Sequence, residues 1–323
     1  MKNKTLRIVF MGTPDFAVAS LKALVENGYN VVGVITAPDK PAGRGKVLSE
    51  PAVKKYAVEN GLKVMQPEKL KNPEFLEELK ALDADLQIIV AFRMLPEVVW
   101  RMPRMGTFNL HGSLLPQYRG AAPLNWAVIN GETKTGVTTF LLDHEIDTGR
   151  ILFKQKIEIG DDDTVGDIHD RLMEIGARLV LTTVDALAEG NVRPVPQTEV
   201  TPDSEIKHAP KIFRDDCKIN WNNDAEEIRN LIRGLSPYPA AWTTLVNRTS
   251  GDEIQVKLFF AQRVISLDNG VPGTIETDGK IVMNVACGKG WLQITDLQLA
   301  GKKRMKTEEF LRGFQHIGDY IFQ

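Results

Sequence analysis

Cysteine is scarce in this chain: Cys217 and Cys287 are the only two among 323 residues. Neither has another cysteine or a paired histidine at ligand spacing, so the sequence indicates no zinc site and no disulfide framework. A protein without bound metal is expected. Such cysteine usage suits a reducing cytoplasm. Long apolar runs are missing too. No stretch approaches the roughly 20 residues that a membrane-spanning helix needs. The run Leu6–Met11 is cut off by Gly12-Thr13-Pro14-Asp15 before it reaches signal-peptide length. The chain therefore reads as cytoplasmic, with no membrane partner. No charge of one sign dominates: 40 Lys and Arg stand against 42 Asp and Glu, a net charge of −2. That excludes coating nucleic acid by bulk charge, though not by a local basic patch. Last, the turn after the first apolar run has one glycine, Gly12, and no second or third. Dinucleotide binding needs them for close approach to a pyrophosphate, so the turn reads as a plain strand–helix junction.

What remains is an ordinary globular composition, 43% hydrophobic and 25% charged, in a chain long enough for two domains. The first half alternates strand-like and helix-like segments. Strands are expected near 6–11, 31–35, 62–65, 86–91, 107–110, 135–142 and 151–159. Helices are expected from Asp15, as a cap, to Gly28, then over 51–60, 73–82, 96–102 and 164–190. The last carries Val165, Ile168, Leu172, Ile175, Leu179 and Val180 on one face. This β-α-β-α order predicts an α/β fold, a doubly wound and mostly parallel sheet of Rossmann type over residues 1–190. Residues 191–207 are proline-rich and polar and read as a linker. Over 208–323 one helix, 225–235, is followed by short strands near 241–247, 254–265, 271–277, 281–287 and 290–298. A helical turn is expected at 308–312. That spacing predicts a small antiparallel β-barrel, OB-like in kind.

Residues 106–123, GTFNLHGSLLPQYRGAAP, carry the chemistry. Phe108 and Leu110 face one side of a strand, and Asn109 and His111 share the other. His111 is followed at once by Gly112-Ser113, so it lies where a strand becomes a loop, which is where open α/β sheets bind ligands. An amide there can donate to a developing oxyanion, and an imidazole can move a proton. The loop Ser113–Ala122, with Pro116 and Gly120, is built of residues that let backbone approach a flat ligand. Downstream, Asp143-His144-Glu145-Ile146-Asp147-Thr148-Gly149 forms a polar loop between two strands. Asp147 reads equally as a turn former, and Asp143, His144 and Glu145 compete with it for any catalytic role.

MGTPDFA at 11–17, PDKPAGRGK at 38–46, FNLHGSLLPQYRGAAP at 108–123 and IDTG at 146–149 resemble the methionyl-tRNA formyltransferase family, and the likeness covers nearly the whole chain. The resemblance implies a formyltransferase-like catalytic domain followed by a tRNA-binding barrel. It implies transfer of the formyl group of 10-formyltetrahydrofolate to the α-amino group of initiator methionyl-tRNA at translation initiation, and a monomer is expected. It implies a catalytic set of Asn109, His111 and Asp147, with Asp147 orienting His111 and holding a relay water. It also implies a folate site at Ser113, Leu114, Leu115 and Pro116. By the same resemblance the 38–46 loop contacts the tRNA acceptor stem through Arg44, with Lys46 beside it. From its residues alone that loop reads as solvated linker. Two basic runs, Lys207-Lys211-Arg214-Lys218 and Lys302-Lys303-Arg304-Lys306, suit an RNA backbone or simply a solvated face. Two features depart from the family pattern: Phe92-Arg93-Met94, where an aromatic is often followed by glycine, and His144-Glu145, where small residues are usual. Rival readings are a formyltransferase acting on a small amine or amino-sugar nucleotide, a nucleotide-dependent oxidoreductase, and an inactive tRNA-binding module.

Overall fold

Continuous apolar runs become parallel strands because a strand covered on both faces needs apolar side chains at every position. Strand β1 (Arg7–Gly12) is the clearest case: Ile8, Val9, Phe10 and Met11 are completely inaccessible. The computed structural model describes residues 4–42, 47–200, 206–264 and 270–323. The chain folds as two compact units, each assembled from separate stretches of sequence. The first is Met1–Gly120 with Gly136–Ile157 and His169–His208; the second is Ala121–Thr135 with Glu158–Ile168 and Ala209–Gln323.

In the first unit β1 is joined by β2 (Asn30–Ile35), β3 (Val64–Met65), β4 (Leu86–Val90), β5 (Thr107–His111), β6 (Lys134–Leu141) and β7 (Ile151–Glu158). Their order across the sheet is β7-β6-β5-β4-β1-β2-β3. The pairs β1/β2, β1/β4, β2/β3 and β4/β5 are parallel, and β5/β6 is antiparallel. The expected doubly wound, mostly parallel sheet is what forms. Its order reverses between β1 and β4, the point at whose carboxyl end such sheets open a crevice.

Helices α1 (Asp15–Glu26), α2 (Ala52–Glu59), α3 (Pro73–Ala81) and the short α4 (Glu97–Trp100) connect these strands. Asp15 does not cap α1: the cap position is Pro14, without a side-chain bond, and Ala17 N donates to Pro14 O. Asp15 instead lies in the first turn, where its charge complements the helix dipole. Gly12 has a packing reason of its own, since a Cβ there would come 2.6 Å from that of Ala17. On one side of the sheet Val9, Met11, Ile35 and Ile89 pack with Phe75, Leu79 and Val99. The long helix α6 (Val165–Ala188) follows α5 (Pro123–Ile129) in the chain, and its Gly176 lies directly on Leu110 of β5.

Two parts of the unit are more ordered than their composition suggested. The stems of the 38–46 loop pair as an antiparallel ribbon, Lys40–Ala42 with Val47–Ser49. The start of the stretch read as linker is stitched to β7, where Ile151 and Val195 exchange both backbone hydrogen bonds at 2.8 and 2.9 Å. A turn of helix, Gln197–Val200, follows.

In the second unit β8 (Ala241–Asn247), β9 (Glu253–Val264), β10 (Ile275–Thr277), β11 (Met283–Ala286), β12 (Trp291–Leu299), β13 (Met305–Lys306) and β14 (Tyr320–Phe322) form an antiparallel sheet. Its order is β10-β11-β12-β9-β8-β14, with β13 beside β12. The two edges meet. Phe322 N donates to Gly273 O at 2.9 Å, and Thr274 bridges Ile321, so the sheet curls into a nearly closed barrel. Helix α7 (Ala225–Leu235) begins with Asp224 accepting from Glu226 N, and buries Ile228, Ile232 and Leu235 in the barrel core. A last helix, α8 (Thr307–Gly313), buries Phe310 and Leu311. The closing strand β14 had no counterpart in the sequence pattern, because three residues carry too little alternation to register.

Candidate active site

Strand β5 delivers the two residues singled out by alternation. Thr107, Phe108, Leu110 and His111 are buried, and Asn109 is the residue of this strand left partly open. Leu110 is used up against α6 on one face. Asn109 and His111 share the other, where Phe140 of β6 stands opposite Asn109 in register and meets the His111 ring edge-on at 6.4 Å.

The histidine is committed at one nitrogen. Nε2 lies 2.9 Å from Tyr118 O. A carbonyl only accepts, so Nε2 carries a hydrogen and donates. The neutral ring then presents its lone pair at Nδ1, and Nδ1 is 3.8 Å from Asp147 Oδ2. That is within ion-pair distance but beyond a direct hydrogen bond. The orientation of the ring thus comes from the Tyr118 carbonyl and the Phe140 edge. Tyr118 adopts a left-handed φ of 61°, and its own N donates to Lys207 O at 2.6 Å.

Geometry separates Asp147 from the other polar residues of its loop. Asp143 caps His144 N at 2.7 Å. His144 packs edge-on against Trp100 and lies 3.1 Å from an Arg101 nitrogen and 3.6 Å from Glu97, all on or beside α4. The Glu145 carbonyl accepts from Thr148. Of these loop acids, it is Asp147 that comes within ion-pair distance of His111. It is both the turn former and the acid at the site: its φ is 55°, a conformation that aspartate tolerates better than most residues. Gly120 N donates to its Oδ2 at 2.9 Å. Gly149 must be glycine, because a Cβ would fall 1.7 Å from Leu141 O.

The loop residues 113–116 are more internal than a ligand-contacting role alone requires. Ser113, Leu115 and Pro116 are buried. The Ser113 hydroxyl donates to Gln117 O, Thr138 Oγ1 donates to Ser113 O, and Leu115 N donates to Thr138 Oγ1. Lys154 donates to Leu115 O, and burial lowers its pKa below the usual lysine value. Leu114 is the partly exposed side chain of the four. The loop is therefore a braced ledge whose open parts are the Leu114 side chain and backbone. Arg93, one of the departures from the family pattern, directs its guanidinium to the carbonyls of Pro67 and Glu68.

Arg44 and Lys46 lie outside the described residues. In the second unit the basic runs differ from one another. Lys211 lies over Phe213, and Arg214 and Lys218 lie over Trp242, at 5.3–5.7 Å. Arg304 lies over Phe259 at 4.3 Å, and it and Lys306 are also tied to buried Asp296. Tyr118, Thr138 and Gln197 were not singled out by the sequence. Tyr118 acts through its backbone carbonyl, which carries no residue signature, and a lone Gln or Thr forms no motif.

A formyl transferase family model matches residues 6–184, and one for the formyl transferase C-terminal domain matches residues 211–315. The chain is 60% identical over 322 residues to the methionyl-tRNA formyltransferase of Parabacteroides distasonis, covering 99% of both. It is 57% identical over 314 residues to that of Bacteroides fragilis, covering 97% of both. The chain belongs to the methionyl-tRNA formyltransferase family. Solved structures share the fold at lower identity. An N-formyltransferase from Helicobacter canadensis, in complex with folinic acid and dTDP-3-aminofucose, matches with TM-score 0.64 and 20% identity, over 93% of this chain and 100% of that one. HypX from Aquifex aeolicus, in complex with tetrahydrofolic acid, matches with TM-score 0.63 and 19% identity. That match covers 95% of this chain, which spans about half of HypX, 47% of its length. Within the family fold, β5 and the Asp147 loop bring together the three residues that alternation and motif had suggested.

Proposed function

We propose that the chain transfers the formyl group of 10-formyltetrahydrofolate to the α-amino group of initiator methionyl-tRNA, in the cytoplasm. The observation that carries this reading is identity of 57–60% along essentially the whole chain to proteins of that activity. Asn109, His111 and Asp147 supply chemistry that fits it. An α-amino group has a pKa of roughly 7.7–8.0, so a useful fraction is neutral at cellular pH and no covalent enzyme intermediate is needed. As the amine nitrogen bonds to the formyl carbon, the carbonyl oxygen gains negative charge. Asn109, half open on the ligand side of β5, donates its amide N–H to that oxygen. With Nε2 held by Tyr118 O, His111 donates to it from Nδ1 in its protonated form. Asp147, or a water between it and Nδ1, accepts the proton leaving the amine and returns it to N10 of the folate as the C–N10 bond breaks. The ledge at Ser113–Pro116 fits a flat apolar ring through Leu114 and backbone. In this reading the first unit carries the catalytic residues and the barrel of the second unit binds the tRNA. Arg44 and Lys46 contact the acceptor stem. The protein works as a monomer.

The test is formyl transfer from 10-formyltetrahydrofolate to charged initiator tRNA, with free methionine and an amino-sugar nucleotide as competing acceptors. Transfer to the tRNA alone is expected. Transfer to the amino sugar with none to the tRNA overturns the proposal. Arg44→Ala should weaken use of the tRNA and leave folate binding unchanged.

A further inference from the structure

Gln197 lies in the segment whose composition reads as linker, yet its side chain is 3% exposed and every polar atom in it is used. Its Oε1 accepts from Arg119 Nε at 3.0 Å and Nη2 at 2.6 Å. Its Nε2 donates to Asp147 O at 2.7 Å and to Gly149 O at 2.9 Å. The amide orientation is set by chemistry. A guanidinium only donates and a carbonyl only accepts, so the oxygen must face Arg119 and the NH₂ must face the loop. The next residue after Arg119 is Gly120, whose N holds the Asp147 carboxylate directly. Arg119-Gly120, Gln197 and Asp147 therefore form a closed ring of hydrogen bonds around the acid beside His111. Asp147 is held in a left-handed conformation that an unbraced aspartate would readily leave.

We infer that Gln197 is a positioning residue for the formyl-transfer step: it clamps the Asp147–Gly149 backbone so that the Asp147 carboxylate stays at its distance from His111. This rests on Asp147 acting at the site, as proposed above. Gln197 touches no reacting atom; it works through Asp147. Displacing a reacting group by about 1 Å costs a rate on the order of 10²-fold. Loss of the clamp therefore lowers kcat by roughly 10–100-fold, and KM for either substrate stays nearly unchanged because the ledge and the RNA surface are not involved.

The experiment uses the full-length protein with initiator tRNA and 10-formyltetrahydrofolate, assayed well below the melting temperature of each variant. Gln197→Met keeps the volume and removes both sets of bonds. Gln197→Glu keeps an acceptor for Arg119 and replaces the two N–H donors with oxygen. Both should lose kcat with KM retained, and Glu should rescue no better than Met. Added to Asp147→Asn, Gln197→Met should cost little more, because the two act through one carboxylate. A folded Gln197→Met with wild-type kcat overturns the inference. So does Gln197→Glu with wild-type kcat, which would make Arg119 the only partner that matters, or a Gln197→Met loss that adds in full to that of Asp147→Asn. Near-normal turnover in Asp147→Asn itself overturns the underlying reading of the site, and is distinguishable because it does not depend on residue 197.

Discussion

Cutting the chain after His208 should not release an intact catalytic domain, although composition alone suggests that it would. The second unit includes Ala121–Thr135 and Glu158–Ile168, segments that precede the cut. Within that unit α5 and α7 pack together. Asn125 Nδ2 donates to Gly234 O at 2.9 Å and Trp126 Nε1 donates to Pro210 O at 2.8 Å. Ile129 lies against the barrel core, and so close to α7 that a Cβ on Gly234 would stand 2.5 Å from it. Removing residues 209–323 exposes Trp126 and Ile129, each partly buried, at a cost of roughly 2 kcal/mol for the pair. The two lost hydrogen bonds are remade with water, for a net cost of about 1 kcal/mol each. Asp161 and Asp162 lose Arg229, but both are exposed and regain water, so that loss is left out. Together these come to roughly 4 kcal/mol, against a typical domain stability of about 5–15 kcal/mol. At about 2–4 °C per kcal/mol for a domain of this size, the melting temperature should fall by roughly 8–16 °C. Calorimetry of the 1–208 fragment beside the intact chain measures this directly. A fragment that melts no lower than the intact protein would refute the reasoning.

His111→Ala and Asn109→Ala should each lower kcat by roughly 10²–10³, the usual cost of an oxyanion donor, while equilibrium dialysis shows folate binding retained. Asp85 is held below the usual carboxylate range, first by Arg7 N and then by Arg104, against the opposing effect of burial. A depressed folded pKa contributes stability above the unfolded value of about 3.9, and that contribution is lost as pH falls through the folded value. Asp85→Asn should therefore be less stable than wild type near neutrality and converge with it in acid, as followed by urea unfolding against pH. Burial pushes the Cys287 thiol up to about 12, and that of Cys217 upward too. Neither should react with a thiol reagent at pH 8 until denaturant is added; rapid labelling of the native protein would contradict the burial.

Much of the architecture is legible in the sequence, for a physical reason. Strands and helices are encoded by local apolar periodicity, and periodicity follows burial. Ile8–Met11 had to be a doubly covered strand, and on the inner face of α6 Val165, Ile168, Leu172, Leu179 and Val180 are buried as their spacing required. Alternation alone put Asn109 and His111 on one side of β5. What the chain could not disclose locally was anything set by contact between distant segments. Asp143, Glu145 and Asp147 are equivalent as loop acids until the fold places one of them against His111. Which imidazole nitrogen is free depends on a main-chain carbonyl at Tyr118, and any residue type could have supplied it. Gln197 gains its role only because residues 119, 147 and 149 converge on it. The short closing strand β14 and the place of α5 in the barrel unit likewise rest on long-range pairing. Periodicity reports how deeply a residue is buried; only the tertiary structure decides what it meets there.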